Sequence, residues 1–104
     1  MGTTAEETQC FIAGSKAADH KLSRTYSRVQ EVLSPEEHKE LQETQRLWLR
    51  FRDVNCSTKR NLYGGGSAAP MVYAACIDAD TRQRTAEFKT MYGWRLEKFG
   101  KPLD

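Results

Sequence analysis

Residues 33–37 read Leu33-Ser34-Pro35-Glu36-Glu37, and this stretch decides the fold. A serine oxygen can accept from the N–H groups that open a helix. Proline suits the first helical position, where its missing N–H is not needed, and a glutamate three residues after the serine can close a capping box. One helix therefore ends near Leu33 and another begins at Pro35. The next break is Tyr63-Gly64-Gly65-Gly66-Ser67, followed by Pro70. Three glycines in a row stop a helix, and Ser67 can cap the one that follows.

Between these breaks the apolar spacing is helical. Phe11, Ala18, Leu22, Tyr26, Val29 and Leu33 share one face of the first segment. In the second, Leu41, Thr44, Trp48, Phe51 and Asn55 form a seam with Leu47 and Val54 beside it, which assigns Trp48 and Phe51 to the core. In the third, Ala74, Ile77, Thr81, Thr85, Phe88, Tyr92 and Phe99 keep three- and four-residue steps, and Gly93 marks a place where the helix ends or loosens. Strand-like alternation is absent. The expected architecture is all-α: a small antiparallel three-helix bundle, one domain over residues 1–104, with helices at about 5–33, 35–62 and 68–98 and a frayed tail at 100–104.

The chain is 104 residues long with a net charge of +2, from 16 basic and 14 acidic residues. That balance does not select nucleic acid or membrane as a partner. The longest nearly apolar run, Ala68 to Ile77, is too short to span a bilayer and contains Pro70. Met1-Gly2-Thr3-Thr4 leads into a polar segment with no basic n-region or apolar h-region. The protein is then either cytoplasmic or exported by a leader that this sequence does not contain.

Antiparallel packing sets the heights of the cysteines. Cys10 lies 24 residues before Ser34 and Cys56 lies 22 after it; Cys56 is 9 before Gly65 and Cys76 is 11 after it. All three thiols gather at one end, and any two could bridge, with Cys56–Cys76 favoured as a staple between the second and third helices. Three buried free thiols in a reducing compartment are the alternative. No histidine or second cysteine stands at zinc spacing, so no metal site is expected, and no cofactor.

Gln45-Arg46-Leu47-Trp48-Leu49-Arg50-Phe51-Arg52-Asp53-Val54-Asn55-Cys56 resembles the conserved block of the lysozyme inhibitor LprI-like family. A second block is similar too: Gly65-Gly66-Ser67, Pro70-Met71, Tyr73-Ala74-Ala75-Cys76, Thr81, Arg84-Thr85 and Glu87. So is a third in the first helix, with Cys10, Lys16-Ala17-Ala18-Asp19, Leu22 and Tyr26. Together they cover roughly residues 3 to 90. The resemblance implies a helical protein of the periplasm, cell surface or medium, with cysteines in disulfides, that inhibits lysozyme by direct binding. Its partner is then lysozyme or another peptidoglycan hydrolase. An envelope interaction module with a different partner is the alternative, and a cytoplasmic module binding nucleic acid through the basic part of the second helix is a third reading.

The candidate partner-binding residues are Tyr63, Gly64, Gly65, Gly66 and Ser67, a loop able to enter an enzyme cleft or simply to join two helices. Trp48, Arg52, Asp53, Asp78, Thr81 and Arg84 form the expected structural network. Height counting pairs Arg52 with Asp78, and Thr81 and Arg84 are one turn apart. Glu31, Glu36, Glu37, Glu40 and Glu43 make the first turn acidic, which would draw in a strongly basic lysozyme; Arg46, Arg50, Arg52, Lys59 and Arg60 make the second half of the helix basic. His20 and His38 are isolated, and no nucleophile or carboxylate pair stands in a catalytic arrangement, so the chain reads as a binder rather than an enzyme.

Overall fold

The structure is a computed structural model and describes residues 4–100. It holds three helices: α1 (Thr4–Gln30), α2 (Pro35–Asn61) and α3 (Ala69–Phe99). The Ser34 capping box forms as its residues require. Ser34 Oγ accepts from the Glu37 N–H at 3.2 Å, and Glu37 Oε1 accepts from the Ser34 N–H at 2.9 Å. α1 ends before Leu33 because residues 31–33 close into tight i→i−3 bonds, with the N–H groups of Glu31, Val32 and Leu33 donating to the carbonyls of Arg28, Val29 and Gln30.

The second connection differs from its reading in one respect. Ser67 does not cap α3; Ala68 holds that position without a side-chain bond, and Pro70 lies in the first turn. Gly64 alone among the described residues has positive φ, at 57°, so it is the glycine that the turn needs. Gly93 neither ends nor breaks α3, which runs on to Phe99. Gly100 closes against the first turn: a Cβ there would stand 2.8 Å from Val32 Cγ1. Of the expected tail, residues 101–104 lie outside the described range.

Sequential helices run antiparallel, as Glu37–Arg95, Gln45–Arg84 and Cys56–Cys76 show for α2 and α3. The most extensive packing is between α1 and α3, which run parallel. Gly14 sits against Asp78 near the start of α3, and Tyr26 sits against Phe88 further along. Small residues on α1, Gly14 and Ala18, let the two axes approach. α1 and α2 approach each other little, and the Cα envelope is flat and elongated, 48 × 27 × 16 Å.

The core has two parts. Beside the Ser34 turn, Leu22, Val29, Leu41, Phe88 and Leu96 are buried, with Tyr26, Trp48 and Tyr92 packed around them. At the other end, Cys56, Cys76 and Ile77 are buried under Tyr73. The layer between them is polar, and includes buried Thr81, Arg84 and Thr85. Phe88 has no exposed surface, and burying a side chain of that size contributes up to about 3 kcal/mol. Several residues expected on the core faces lie outside the core: Phe11, Thr44, Phe51 and Phe99 are exposed, as are Leu47 and Val54 beside the α2 seam.

Candidate functional site

α2 has an inner face that packs on α3, mostly through polar side chains, and an apolar stripe that nothing covers. Its inner face carries Leu41, Gln45, Trp48, Arg52, Asn55 and Cys56 toward α3, and most of these residues are held by polar contacts. Arg84 Nε donates to Gln45 Oε1 at 3.1 Å, Arg52 donates to Thr81 Oγ1 at 2.9 Å, and Asn55 Nδ2 donates to Asp80 Oδ2 at 2.9 Å. The disulfide joins Cys56 to Cys76 with 5.5 Å between Cα atoms. Cys10 lies at the same end but is exposed and unbonded.

The expected network is rearranged. Arg52 reaches across to Asp19 on α1 at 2.9 Å and lies 3.9 Å from Asp53, while Asp78 pairs with Arg82 at 3.0 Å. Arg52 therefore does not pair with Asp78: its side chain points into the gap between α1 and α2, where Thr81 and Asp19 offer oxygens together. Trp48 is half-buried and bracketed by the guanidinium groups of Arg52 and Arg84, 5.3 and 5.7 Å from its ring. Arg84 also covers Phe88 at 4.6 Å and pairs with Glu87 at 3.1 Å. These contacts clamp α2 onto the other two helices through the polar middle layer.

The outer face of α2 is left open. Leu47, Phe51 and Val54 are 52%, 59% and 60% exposed, and their i, i+4, i+7 spacing makes one stripe. The stripe leads toward Leu62 and Tyr63, 81% and 52% exposed, at the Tyr63-Gly64-Gly65-Gly66-Ser67 loop. A Cβ at Gly64 or Gly65 would meet nothing within 4 Å. The loop residues are all solvent-facing, and polar residues 57–61 separate them from Val54. Sequence reasoning found the loop and missed the stripe, because it counted Leu47, Phe51 and Val54 toward the core seam. The signal was present: that seam spans more of the helix circumference than one packed neighbour can cover.

The charges around this face are partly neutralised. Glu43 pairs with Arg46 one turn on. The Arg46 hydrogen bond holds the Glu43 carboxyl below its ordinary value and, in return, raises the guanidinium. Glu37 also lies below its ordinary value, first through the Ser34 N–H and then through Arg95. The acidic patch at the first turn is thus reduced to Glu31, Glu36 and Glu40. Arg60 is drawn over the Tyr73 ring at 5.0 Å, while Arg50 stays exposed beside the apolar stripe. A groove of about 760 Å³ runs between α1 and α2, floored by Leu22, Tyr26 and Leu49 and flanked by Asp19, Gln42 and Arg46. Among the described residues, no helix is long and apolar enough to cross a membrane.

Comparison with known proteins places this geometry in a family. The chain is 30% identical to an uncharacterized protein, R02472, of Rhizobium meliloti (strain 1021), over 95 residues that cover 79% of this chain and 68% of that one. No solved structure matches. Residues 1–88 match the family model described as lysozyme inhibitor LprI, and the chain belongs to that family.

Proposed function

We propose that the protein is a periplasmic or secreted binder that inhibits lysozyme or a related peptidoglycan hydrolase by covering its glycan cleft. It binds and does not catalyse. The observation that carries this reading is the exposed apolar stripe of Leu47, Phe51 and Val54, with Leu62 and Tyr63 exposed further along the same helix end. An exposed aromatic and aliphatic stripe on a monomer marks a contact surface when it is contiguous and rimmed by polar groups. Here Arg50, Glu43 and Asp53 supply that rim.

The scaffold favours such use. α2 is a rod of 27 residues, about 40 Å long, fixed to α3 at one end by Glu37–Arg95 and at the other by the disulfide. A face held this rigidly loses little conformational freedom on binding, so more of the contact energy appears as affinity. Tyr63, exposed at the end of the rod beside the Gly64 turn, is offered to a cleft in this reading.

One observation favours a second reading, an envelope module with a partner other than lysozyme. With Glu37 and Glu43 paired within the chain, the acidic turn keeps Glu31, Glu36 and Glu40 to steer a strongly basic enzyme, a weaker pull than five carboxylates would give. Binding measured calorimetrically against lysozyme, with Phe51→Glu as the control, tests the primary reading. Heat that saturates with the native chain and vanishes with the variant supports it; no heat with either leaves the second reading, which capture from envelope extracts would pursue.

A further inference from the structure

We propose that, when its disulfide is reduced, the protein binds a soft divalent cation of the zinc type through Cys56, Cys76 and Asp80. The sequence carries no zinc spacing, because the three donors come from two helices. Antiparallel packing brings Cys56 of α2 level with Cys76 of α3, and Asp80 follows Cys76 by one turn on the same face. The three donor atoms lie within 4.8 Å of one another, and both cysteines are buried.

The spacing fits tetrahedral coordination. Asp80 Oδ2 stands 3.6 Å from Cys56 Sγ and 3.8 Å from Cys76 Sγ. With Zn–S near 2.3 Å and Zn–O near 2.0–2.2 Å, the edges of a tetrahedron are about 3.4–3.8 Å. The two sulfurs can part to a similar separation once the bond between them is gone. Asp80 is also already aimed: Asn55 Nδ2 donates to the same Oδ2 at 2.9 Å, an outer-shell contact of the kind that fixes a ligating carboxylate. A disulfide gives that carboxylate nothing to accept from, since neither sulfur bears a proton. Asp80 makes no ion pair among the described residues. Asp80 is half-buried beside the two sulfurs with one amide partner, and a dication would supply it a second, opposite-charged one.

The chemistry balances with a dithiol reductant. The Cys56–Cys76 bond takes two electrons and two protons, the reductant closes its own disulfide, and metal binding then releases the two thiol protons to solvent. The bound state has two thiolates, one carboxylate and an open fourth position for water. A coordination staple would then hold α2 on α3 where the covalent one had been.

The test uses untagged Cys10→Ser protein, which removes the exposed third thiol, reduced with a phosphine under anaerobic conditions and titrated with Co²⁺. The expected result is thiolate-to-cobalt absorption and tetrahedral d–d bands saturating at one equivalent, displaced by Zn²⁺. Zn²⁺ should also raise Tm in the reduced protein but not in the oxidised protein. Asp80→Asn should weaken binding about tenfold or more, since losing a ligand costs at least what losing an outer-shell partner does. Absence of those bands, an unchanged affinity in Asp80→Asn, or equal binding by the oxidised chain would overturn the proposal. Circular dichroism covers the remaining case: if reduction abolishes helicity, Zn²⁺ must restore it, and failure to do so refutes the site.

Discussion

Arg95, near the end of α3, grips both carboxylate oxygens of Glu37, 2.9 and 3.0 Å away, although the two residues are 58 positions apart. Glu37 is also the closing residue of the Ser34 capping box. One side chain therefore starts α2 and ties that start to α3. The residue pattern Ser34-Pro35-Glu36-Glu37 specified the first role, and only the topology could supply the second.

The first prediction concerns acid. The Glu37 carboxyl lies below its ordinary value of 4.5, so its contribution to stability is fully present above that pH and is lost as pH falls through the lowered folded value. Glu37→Gln keeps an acceptor for the Ser34 N–H but gives up the charge that Arg95 holds. Its Tm should lie slightly below that of the native chain at neutral pH, and the gap should close on acidification below the ordinary carboxylate range. Thermal melts across pH 3 to 7, a range chosen to bracket carboxylate titration, check this. A gap that is constant with pH would assign Glu37 a capping role alone.

The disulfide should contribute about what a loop of its size suggests. Closing 20 residues is worth about 3 kcal/mol in the unfolded chain. Beside it, Ile77 and Tyr73 pack on the bridge and Asn55 bonds to Asp80. Cys56→Ser with Cys76→Ser should lower Tm by on the order of 15 °C for a chain of this size, read by circular dichroism.

In the middle layer, Thr81 is fully buried and accepts from Arg52. Thr81→Val keeps the shape and removes the acceptor, leaving a guanidinium N–H short of a partner in a site where its Nε already has none. A loss of about 1–3 kcal/mol is expected in urea unfolding, with the slope unchanged.

The outer face of α2 should separate binding from folding. Phe51→Glu changes an exposed residue, so stability should stay within about 0.5 kcal/mol, whereas Phe88→Ala in the core should cost about 3–5 kcal/mol. The same Phe51→Glu change should weaken inhibition of the target hydrolase at least tenfold, about 1.4 kcal/mol, as loss of a central aromatic contact does. Equal inhibition by Phe51→Glu and the native chain would move the interface elsewhere.

The legible parts of this protein were those written in local chemistry. The Ser34 capping box, the glycine break and the level placement of Cys56 and Cys76 all follow from residue type and spacing, and the structure has them. The α2 seam was misread for a physical reason. Its inner face is built largely from Gln45, Arg52 and Asn55, which are partly buried and held by hydrogen bonds and carry no hydrophobic signal. A search for apolar periodicity was therefore drawn toward Leu47, Phe51 and Val54 on the outside. The Arg52–Asp78 pairing failed similarly: height along the bundle was right, but rotation about the axis turned Arg52 toward Asp19 and Asp78 toward Gly14 and Arg82.

In the proposed function this chain blocks a cell-wall hydrolase with the outer face of α2. The most direct measurement is lysozyme turnover on bacterial cell walls, titrated with the oxidised protein after circular dichroism has shown it folded. Turnover should fall stoichiometrically with the native chain and not with Phe51→Glu. Turnover unchanged at large molar excess of the folded protein would contradict that function.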